Sequence, residues 1–213
     1  MGELIQEQVR LILVRHGETV GESSIRYHGR TDVALSESGR AQMRAARAAI
    51  ERAHGGLRFT RVFSSPLSRA AEGARIVAGD RHAVAAIEEF AEVHFGLFEG
   101  LTAEEIRTRY PEEFARWNAD RLSPAYAYPG GESRADFTRR IERGGARMFA
   151  LWPPHESGAG TALAVAHRGT ICAIVEQLTG ERPIAELGSI HVLRFDGAWR
   201  AIALDLTDHL KGD

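Results

Sequence analysis

The chain has 213 residues, of which 44% are hydrophobic and 26% charged, and its formal net charge is -2 at pH 7. This composition is typical of a globular protein and excludes a fibrous, disordered or membrane-embedded chain. The near-neutral charge gives no reason to expect a nucleic acid or a membrane as a partner.

The first part of the chain alternates between predicted strands and predicted helices. Val9–Val14 is a short apolar run rich in β-branched residues, which predicts a strand buried on both faces. Ser36–His54 predicts a helix with Ser36 as its N-cap, and Arg61–Ser65 predicts a second strand. Pro66–Gly79 predicts a helix with the proline in its favoured first position. His82–Ile87 is compatible with a third strand.

The segment at about 88–131 breaks this alternation. It contains several glycines and prolines and two short helical stretches, Ala103–Tyr110 and Pro111–Asp120. We interpret the segment as an insertion that packs over one end of the sheet as a partial lid.

The remaining elements resume the alternating pattern. Glu132–Trp152 predicts a helix, Thr161–Ala166 predicts a buried strand, and a further helix is expected to end at Gly180. Ile190–Phe195 and Trp199–Leu204 are separated by turn residues and predict a hairpin. The order of elements predicts the α/β class, as a three-layer α/β/α sandwich around a mostly parallel sheet.

The chain shows no linker or internal repeat, so we expect a single domain over residues 1–213. Met1–Arg10 lacks the apolar core of a signal peptide, and no apolar run approaches the roughly 20 residues of a membrane helix. Cys172 is the one cysteine, which excludes an internal disulfide. We therefore expect a cytoplasmic protein. The oligomeric state stays open, with a homodimer among the alternatives.

Polar side chains follow three of the predicted strands. Arg15 and His16 follow the first strand, Arg69 comes shortly after the second, and His167 and Arg168 follow the strand that ends at position 166. The carboxyl ends of neighbouring parallel strands meet at one edge of a sheet, where ligands bind. Arginine forks bind phosphate oxygens in a bidentate manner. The sequence therefore predicts a pocket for a multiply charged anion.

Seven ordered motifs resemble those of the histidine phosphatase superfamily, the phosphoglycerate mutase-like proteins. They are LVRHGET (Leu13–Thr19), RYHGRTDVALSESGRAQ (Arg26–Gln42), SSPLSRA (Ser64–Ala70), AEVHFGLFEG (Ala91–Gly100), PGGES (Pro129–Ser133), AHRGTI (Ala166–Ile171) and LDLTDHL (Leu204–Leu210). The resemblance covers nearly the whole chain. It implies a phosphoglycerate mutase-like fold and an enzyme of the phosphatase branch.

The resemblance also implies a role for each catalytic side chain. His16 would be the nucleophile, as a neutral imidazole whose second nitrogen is held by a backbone carbonyl. Glu92 would protonate the leaving oxygen and then deprotonate a water molecule. Arg15, Arg69 and His167 would hold the phosphoryl oxygens and stabilise the transition state. Because this clamp supplies positive charge, neither a metal nor a cofactor is expected.

Further residues are expected to contact the substrate. They are Thr19, Arg26, Tyr27, His28, Gly29, Arg30, Glu132, Ser133 and Arg168. Two positions depart from the family pattern, since many members have an asparagine where this chain has Glu22 and another near Leu187. Glu22 puts one phosphate contact in doubt, because a carboxylate there would add negative charge.

Three functions remain in competition. The leading hypothesis is a phosphatase that hydrolyses a small phosphorylated metabolite. The second is a phosphoglycerate mutase, which shares the chemistry, although the segment after the acidic motif is short for a mutase. The third is a phospho-ligand binding module with low turnover. A zinc site formed by His16, His28, His94, His167 and Glu92 is disfavoured, because the sequence has neither HxxxH nor CxxC spacing.

Overall fold

A computed structural model of the chain describes residues 9–21, 25–54, 58–79, 82–153 and 160–211. The strands are β1 (Val9–Arg15), β2 (Phe59–Ser64), β3 (Val84–Ala86), β4 (Gly160–Ala166), β5 (Ile190–Phe195) and β6 (Trp199–Leu206). The α-helices are α1 (Glu37–His54), α2 (Ser68–Ala78), α3 (Ala103–Arg109), α4 (Pro111–Asp120), α5 (Arg134–Leu151) and α6 (Arg168–Thr179). Short 3-10 helices cover Glu88–Phe90, Gly96–Phe98 and Asp208–Leu210.

The six strands form one mixed sheet in the order β3-β2-β4-β1-β5-β6. Strands β1 to β4 are mutually parallel, whereas β5 and β6 run antiparallel to their neighbours. Arg15 at the end of β1 lies opposite Ala166 at the end of β4. This register places the polar residues that follow the two strands side by side, at the carboxyl edge of the sheet.

Both faces of the sheet are buried, because successive side chains of each strand point to opposite sides. Leu11 and Leu13 of β1 pack with α5 and α6, while Ile12 and Val14 pack with α1 and α2. The four side chains are fully buried. The three-layer α/β/α sandwich around a mostly parallel sheet is therefore confirmed.

One predicted helix start is wrong. Helix α2 begins at Ser68, with Leu67 as its N-cap, so Pro66 lies before the helix and not in its first turn. Ser65 still pairs with the sheet, since its N–H donates to the Val165 carbonyl at 3.0 Å. Because of this pairing and the extended backbone of Leu67, Pro66 and Leu67 are not helical, and the helix begins at Ser68.

The segment at 88–131 lies against the loop that follows β1. The Tyr27 N–H donates to the Leu101 carbonyl at 3.0 Å, and the Gly100 N–H donates to the Tyr27 carbonyl at 2.8 Å. Arg26 forms an isolated bridge with Thr102. The two segments therefore hold each other beside the carboxyl edge of the sheet. Across the described ranges, we find no helix with the length and apolar character needed to cross a bilayer.

Candidate active site

His16 is held between two strands at the centre of the sheet. Its N–H donates to the Ala166 carbonyl at 3.0 Å, and its side chain is 5% exposed. Nδ1 lies 2.7 Å from the Gly17 carbonyl, which assigns the proton to Nδ1 and leaves Nε2 as an acceptor. Burial, followed by the charges of Arg15 and Arg69, lowers the pKa of His16 well below its usual value. The ring is therefore neutral, with the lone pair of Nε2 available.

Arg69 is the charged group nearest to that lone pair. Its Nε donates to His16 Nε2 at 3.3 Å, while its Nη1 and Nη2 donate to the carbonyls of Thr31 at 2.9 Å and Gly29 at 2.6 Å. The residue is 2% exposed, and this burial lowers its pKa. The two carbonyls fix the guanidinium, so that its Nε–H faces the imidazole.

Glu99 fixes the loop that supplies these carbonyls. Its carboxylate accepts hydrogen bonds from the backbone N–H groups of Arg30 at 2.9 Å, Thr31 at 2.8 Å and Phe95 at 3.0 Å. Gly29 has φ +48, and a Cβ at this position would lie 2.2 Å from Glu99 Oε1. The close approach of the loop to Glu99 therefore requires glycine at position 29.

Arg15 is the second cation beside His16. Its Nη1 donates to the Ala185 carbonyl at 2.9 Å, while its Nε has no hydrogen-bond partner among the described residues. Desolvation by burial is the main cause that lowers the pKa of Arg15 to about 10, and the charge of Glu92 opposes it. Arg15 remains cationic at neutral pH, with donor capacity left over.

Asp205 positions the carbonyl that holds Arg15. Its carboxylate accepts the N–H groups of Ile184 at 2.9 Å and Ala185 at 2.7 Å, and its own N–H donates to His191 Nδ1 at 3.2 Å. Ala185 and Asp205 have positive φ values of 53 and 56. They are the only non-glycine residues with a positive φ within the described ranges. Such backbone angles are costly outside glycine and persist where surrounding contacts impose them. We refer to this arrangement as the Asp205 clasp.

His167 lies at the end of β4 and is fully buried. Its Nε2 is 2.7 Å from Ser65 Oγ, and its Nδ1 has no partner in the part of the chain that the structure describes. Its ring is 5.1 Å from that of His16, with an angle of 66° between the planes. Burial, followed by the charge of Arg69, lowers the pKa of His167 well below its usual value. Ser65 therefore fixes the ring and leaves the other nitrogen free for a ligand.

Glu92 contributes a carboxylate to the same site and is 8% exposed. Its Oε1 accepts the Val93 N–H at 3.0 Å, and its Oε2 accepts the Gly169 N–H in the first turn of α6 at 3.1 Å. A Cβ on Gly169 would lie 2.5 Å from Glu92 Oε1. Backbone groups therefore orient this carboxylate, and the close contact requires glycine at position 169.

These side chains surround a cavity of about 620 Å³, which we call the catalytic cavity. It is lined by Arg15, His16, Ile25, Arg26, Tyr27, His28, Gly29, Gln42, Arg69, Glu92, Phe95, His167, Arg168, Glu186, Leu187 and Leu210. The structure thus brings together the five side chains expected to be catalytic and five of those expected to contact substrate. Within the described ranges, no three His, Cys, Asp or Glu side chains are grouped so that they could hold a metal ion.

Four residues expected to contact substrate do not line this cavity. Thr19 is 2% exposed and bridges to Leu35 in the loop after β1. Arg30 lies 3.8 Å from Glu132, whose carboxylate also binds the Arg140 guanidinium at 2.8 Å. Ser133 is the N-cap of α5, where its hydroxyl accepts the Asp136 N–H at 3.0 Å.

The side chains that do line the cavity differ in how freely they face it. Arg26 donates to Glu105 at 2.6 Å and to the Gly100 carbonyl at 2.9 Å, so it links the loop to α3. His28 Nε2 is 3.0 Å from the Gly21 carbonyl. Glu22, one of the two departures from the family pattern, lies outside the described residues.

Three residues that support the site are absent from the sequence-based set. Ser65 orients His167, Glu99 fixes the loop around Arg69, and the Asp205 clasp holds the partner of Arg15. Ser65, Glu99 and Asp205 all occur inside motifs that resemble those of the family, and this placement is the signal that could have identified them. The contact between Asp205 and Ala185 joins residues 20 positions apart and leaves no pattern in the sequence.

The buried neutral histidines predict a pH-dependent stability. Burial lowers the pKa of His191 to about 4, and the pKa values of His16 and His167 are lowered as well. Below about pH 6.5 the unfolded chain binds these protons and the folded chain does not, so the free energy of unfolding falls as pH decreases. We expect a loss of about 1.4 kcal/mol per pH unit for each such histidine below that pH.

Urea unfolding at pH 7.5, 6.5 and 5.5 measures this slope. Because the unfolded histidines are half protonated at pH 6.5, the three together should cost about 1 kcal/mol between pH 7.5 and 6.5 and about 3 kcal/mol between pH 6.5 and 5.5, where buried histidines dominate over carboxylates. Equal stability at pH 6.5 and 5.5 would show that the histidines take up protons in the folded state.

Comparison with known proteins agrees with this geometry. Residues 11–204 match the histidine phosphatase superfamily, branch 1. A bifunctional protein of Mycobacterium tuberculosis is 39% identical over 163 residues, which are 74% of this chain and 41% of that protein. This chain therefore spans about two fifths of the length of the mycobacterial proteins that it matches.

Other relatives align over more of their own length. A 2,3-bisphosphoglycerate-dependent phosphoglycerate mutase of Gloeobacter violaceus is 37% identical, covering 79% of this chain and 74% of that protein. An adenosylcobalamin/alpha-ribazole phosphatase of Salmonella typhimurium is 32% identical, covering 91% and 90%. The solved alpha-ribazole phosphatase of Shigella flexneri superimposes with a TM-score of 0.78 at 25% identity, covering 92% of this chain and 96% of that one. The chain therefore belongs to the histidine phosphatase superfamily, branch 1.

Proposed function

We propose that the protein hydrolyses a small-molecule phosphomonoester through a phosphohistidine intermediate on His16. The observation that carries this proposal is the state of the imidazole. It is buried and neutral, with Nδ1 fixed on a carbonyl and Nε2 facing the Arg69 guanidinium at 3.3 Å. Such a nitrogen is an activated nucleophile, and the adjacent cations attract an anionic phosphoryl group to it.

In the first step, Nε2 of His16 forms a bond to phosphorus while the bond from phosphorus to the leaving oxygen breaks. Glu92, in its protonated form, transfers its proton to that oxygen, and the alcohol departs. In the second step, the Glu92 carboxylate accepts a proton from water, whose oxygen attacks phosphorus. The nitrogen–phosphorus bond breaks, inorganic phosphate leaves, and both side chains return to their initial state.

The cations around His16 stabilise the charge of the transferring group. Arg15 has an unused Nε–H and Arg69 has an Nε–H directed at the reacting nitrogen. His167 has Nδ1 free, and Arg168 lies at the start of α6 beside the same cavity. Phosphoryl transfer depends mainly on positioning and on electrostatic stabilisation of the equatorial oxygens. This arrangement supplies both.

The proposal also covers the domain organisation, the partner and the cellular location of the enzyme. The chain is a single domain in which residues 88–131 act as a partial lid over the catalytic cavity. Its partner is a small phosphorylated metabolite, without nucleic acid or membrane, and the protein acts in the cytoplasm. A homodimer is compatible with this proposal.

A phosphoglycerate mutase is the second candidate, and the similarity to the Gloeobacter violaceus mutase favours it. The same phosphohistidine would then return its phosphoryl group to a phosphoglycerate and not to water. The short segment after Glu92, with α3 and α4 of 7 and 10 residues, supports hydrolysis.

The deciding experiment compares mutase and phosphatase activity in two parallel reactions. The protein is incubated in EDTA with 3-phosphoglycerate and catalytic 2,3-bisphosphoglycerate, and separately with p-nitrophenyl phosphate. Release of inorganic phosphate from p-nitrophenyl phosphate, without formation of 2-phosphoglycerate, is the expected result. Conversion to 2-phosphoglycerate faster than phosphate release would establish the mutase. Activity in neither assay, with phosphate still bound, would indicate the binding module.

A further inference from the structure

A second cavity continues from the catalytic cavity beyond Glu92. It has a volume of about 630 Å³ and lies between residues 121–138 and helix α6; we call it the distal cleft. Tyr27, Glu92, Phe95 and Arg168 line both cavities, so the two are adjoining. Under the proposed function, Glu92 protonates the leaving oxygen. The group attached to that oxygen therefore starts at the junction between the two cavities.

The wall of the distal cleft is rich in aromatic rings. Tyr128 packs edge-to-face on Phe95 at 5.0 Å and on Tyr126 at 5.2 Å, and Phe137 also lines the cleft. Leu122, which is 73% exposed, adds an apolar side chain at the same cleft. Cavities of several hundred Å³ lined by aromatic and apolar side chains are typical binding sites for organic ligands.

The arginines of the distal cleft already have partners inside the protein. Arg182 forms an ion pair with Glu176 on α6. The Arg121 guanidinium lies 5.0 Å from the centre of the Trp117 ring. Arg134 donates to the Arg121 carbonyl at 3.4 Å.

Arg168 differs from these three arginines, because it is exposed and its guanidinium makes no hydrogen bond or ion pair within the described ranges. It lies at the junction with the catalytic cavity, where the phosphoryl group is expected. Beyond the junction, the aromatic and apolar side chains of the wall favour an apolar group.

Resting on the proposed function, we infer that the substrate is a phosphomonoester with a bulky, aromatic leaving group, which binds in the distal cleft. A phosphate and a three-carbon alcohol would fill only a small part of the two cavities, of about 620 and 630 Å³. Their combined size suits a ligand that is much larger than a phosphoglycerate or phosphoserine. The rings of Tyr126, Tyr128 and Phe137 provide the apolar contact surface.

Three alkyl phosphates with leaving oxygens of similar acidity test this inference. They are ethyl phosphate, 2-phenylethyl phosphate and 2-(1-naphthyl)ethyl phosphate. Each added ring should raise kcat/KM, by about 10- to 100-fold overall, because burial of a Phe-sized group is worth such a factor. Equal kcat/KM for the three compounds, or a preference for ethyl phosphate, would overturn the inference.

A pair of variants on α5 locates the effect. Thr138→Trp adds a large side chain to the wall of the distal cleft, whereas Ala146→Trp adds the same side chain at an exposed position outside both cavities. Thr138→Trp should reduce the preference for the naphthyl compound over ethyl phosphate at least tenfold, and Ala146→Trp should leave it unchanged. The same preference in both variants would contradict the assignment to the cleft.

The outcome of these assays is separable from that of the proposed function. Hydrolysis of p-nitrophenyl phosphate that depends on His16 establishes the phosphatase, whatever the alkyl series shows. If such hydrolysis is present but the alkyl series shows no gain with ring size, the leaving-group assignment alone is wrong. If no phosphomonoester is hydrolysed, the proposed function fails and the inference fails with it.

Discussion

His16→Ala is expected to lower phosphate release from p-nitrophenyl phosphate by at least about 10⁴-fold, the scale seen when a covalent nucleophile is removed. The substitution removes the nitrogen that forms the bond to phosphorus, and the neighbouring side chains offer no replacement. Arg69 and Arg15 are cationic, and the ring of His167 is held on Ser65 at 2.7 Å. Steady-state release of nitrophenol measures the loss.

A second measurement on the same variant identifies the intermediate. Wild-type protein quenched in alkali during turnover of ³²P-labelled substrate should carry label on histidine, and His16→Ala should carry none. His82→Ala is the matched control, because His82 lies outside the catalytic cavity with its Nδ1 2.9 Å from the Ala78 carbonyl. Full activity of His16→Ala, or label that persists in it, would remove His16 from the mechanism.

Glu92→Gln is expected to have an effect that depends on the leaving group. General acid catalysis contributes about 10²- to 10⁴-fold where the leaving oxygen needs a proton. The loss should therefore be near the upper end for ethyl phosphate and at least about tenfold smaller for p-nitrophenyl phosphate, whose leaving oxygen departs as an anion. The ratio of kcat/KM for the two substrates, in wild type and variant, gives the result.

The ratio of kcat/KM for the two substrates distinguishes the loss of proton transfer by Glu92 from a general disturbance of the site. Both carboxylate oxygens of Glu92 accept backbone N–H groups, so an amide nitrogen at this position faces a donor and disturbs the site for every substrate. Such disturbance lowers both rates alike, whereas loss of the acid changes their ratio. Glu88→Gln, at an exposed position four residues earlier, should change neither rate. An unchanged ratio in Glu92→Gln would exclude Glu92 as the proton donor.

Much of the fold follows from local patterns in the sequence. Val9–Val14 is apolar at every position but Arg10, and such a run predicts a strand that is covered on both faces. The hairpin of β5 and β6 follows from its turn residues, and the family from the order of the seven motifs. The start of α2 was not predictable, because a tertiary contact of Ser65 with β4 overrides the helix-starting preference of Pro66.

The site was predictable where it depends on strand ends and not where it depends on contacts between distant loops. Arg15 ends β1 and His167 directly follows the adjacent parallel strand β4, so the sequence brings them to one edge. The pairing of Glu132 with Arg140 and the capping role of Ser133 are decided by packing around α5. No spacing rule distinguishes such supporting contacts from contacts with substrate.

The Asp205 clasp has a consequence for protein engineering. The match to the family spans residues 11–204, although the resembling motif continues to Leu210, so the match stops one position before the aspartate whose carboxylate fixes the Ala185 backbone. A shortened version that ends at residue 204 would keep every side chain that lines the catalytic cavity up to Leu187. It would lose Asp205, which holds the Ala185 carbonyl in place for the Arg15 guanidinium. A protein shortened to the boundaries of that match would thus contain its catalytic side chains but bind anions more weakly, because Arg15 would no longer be held in place.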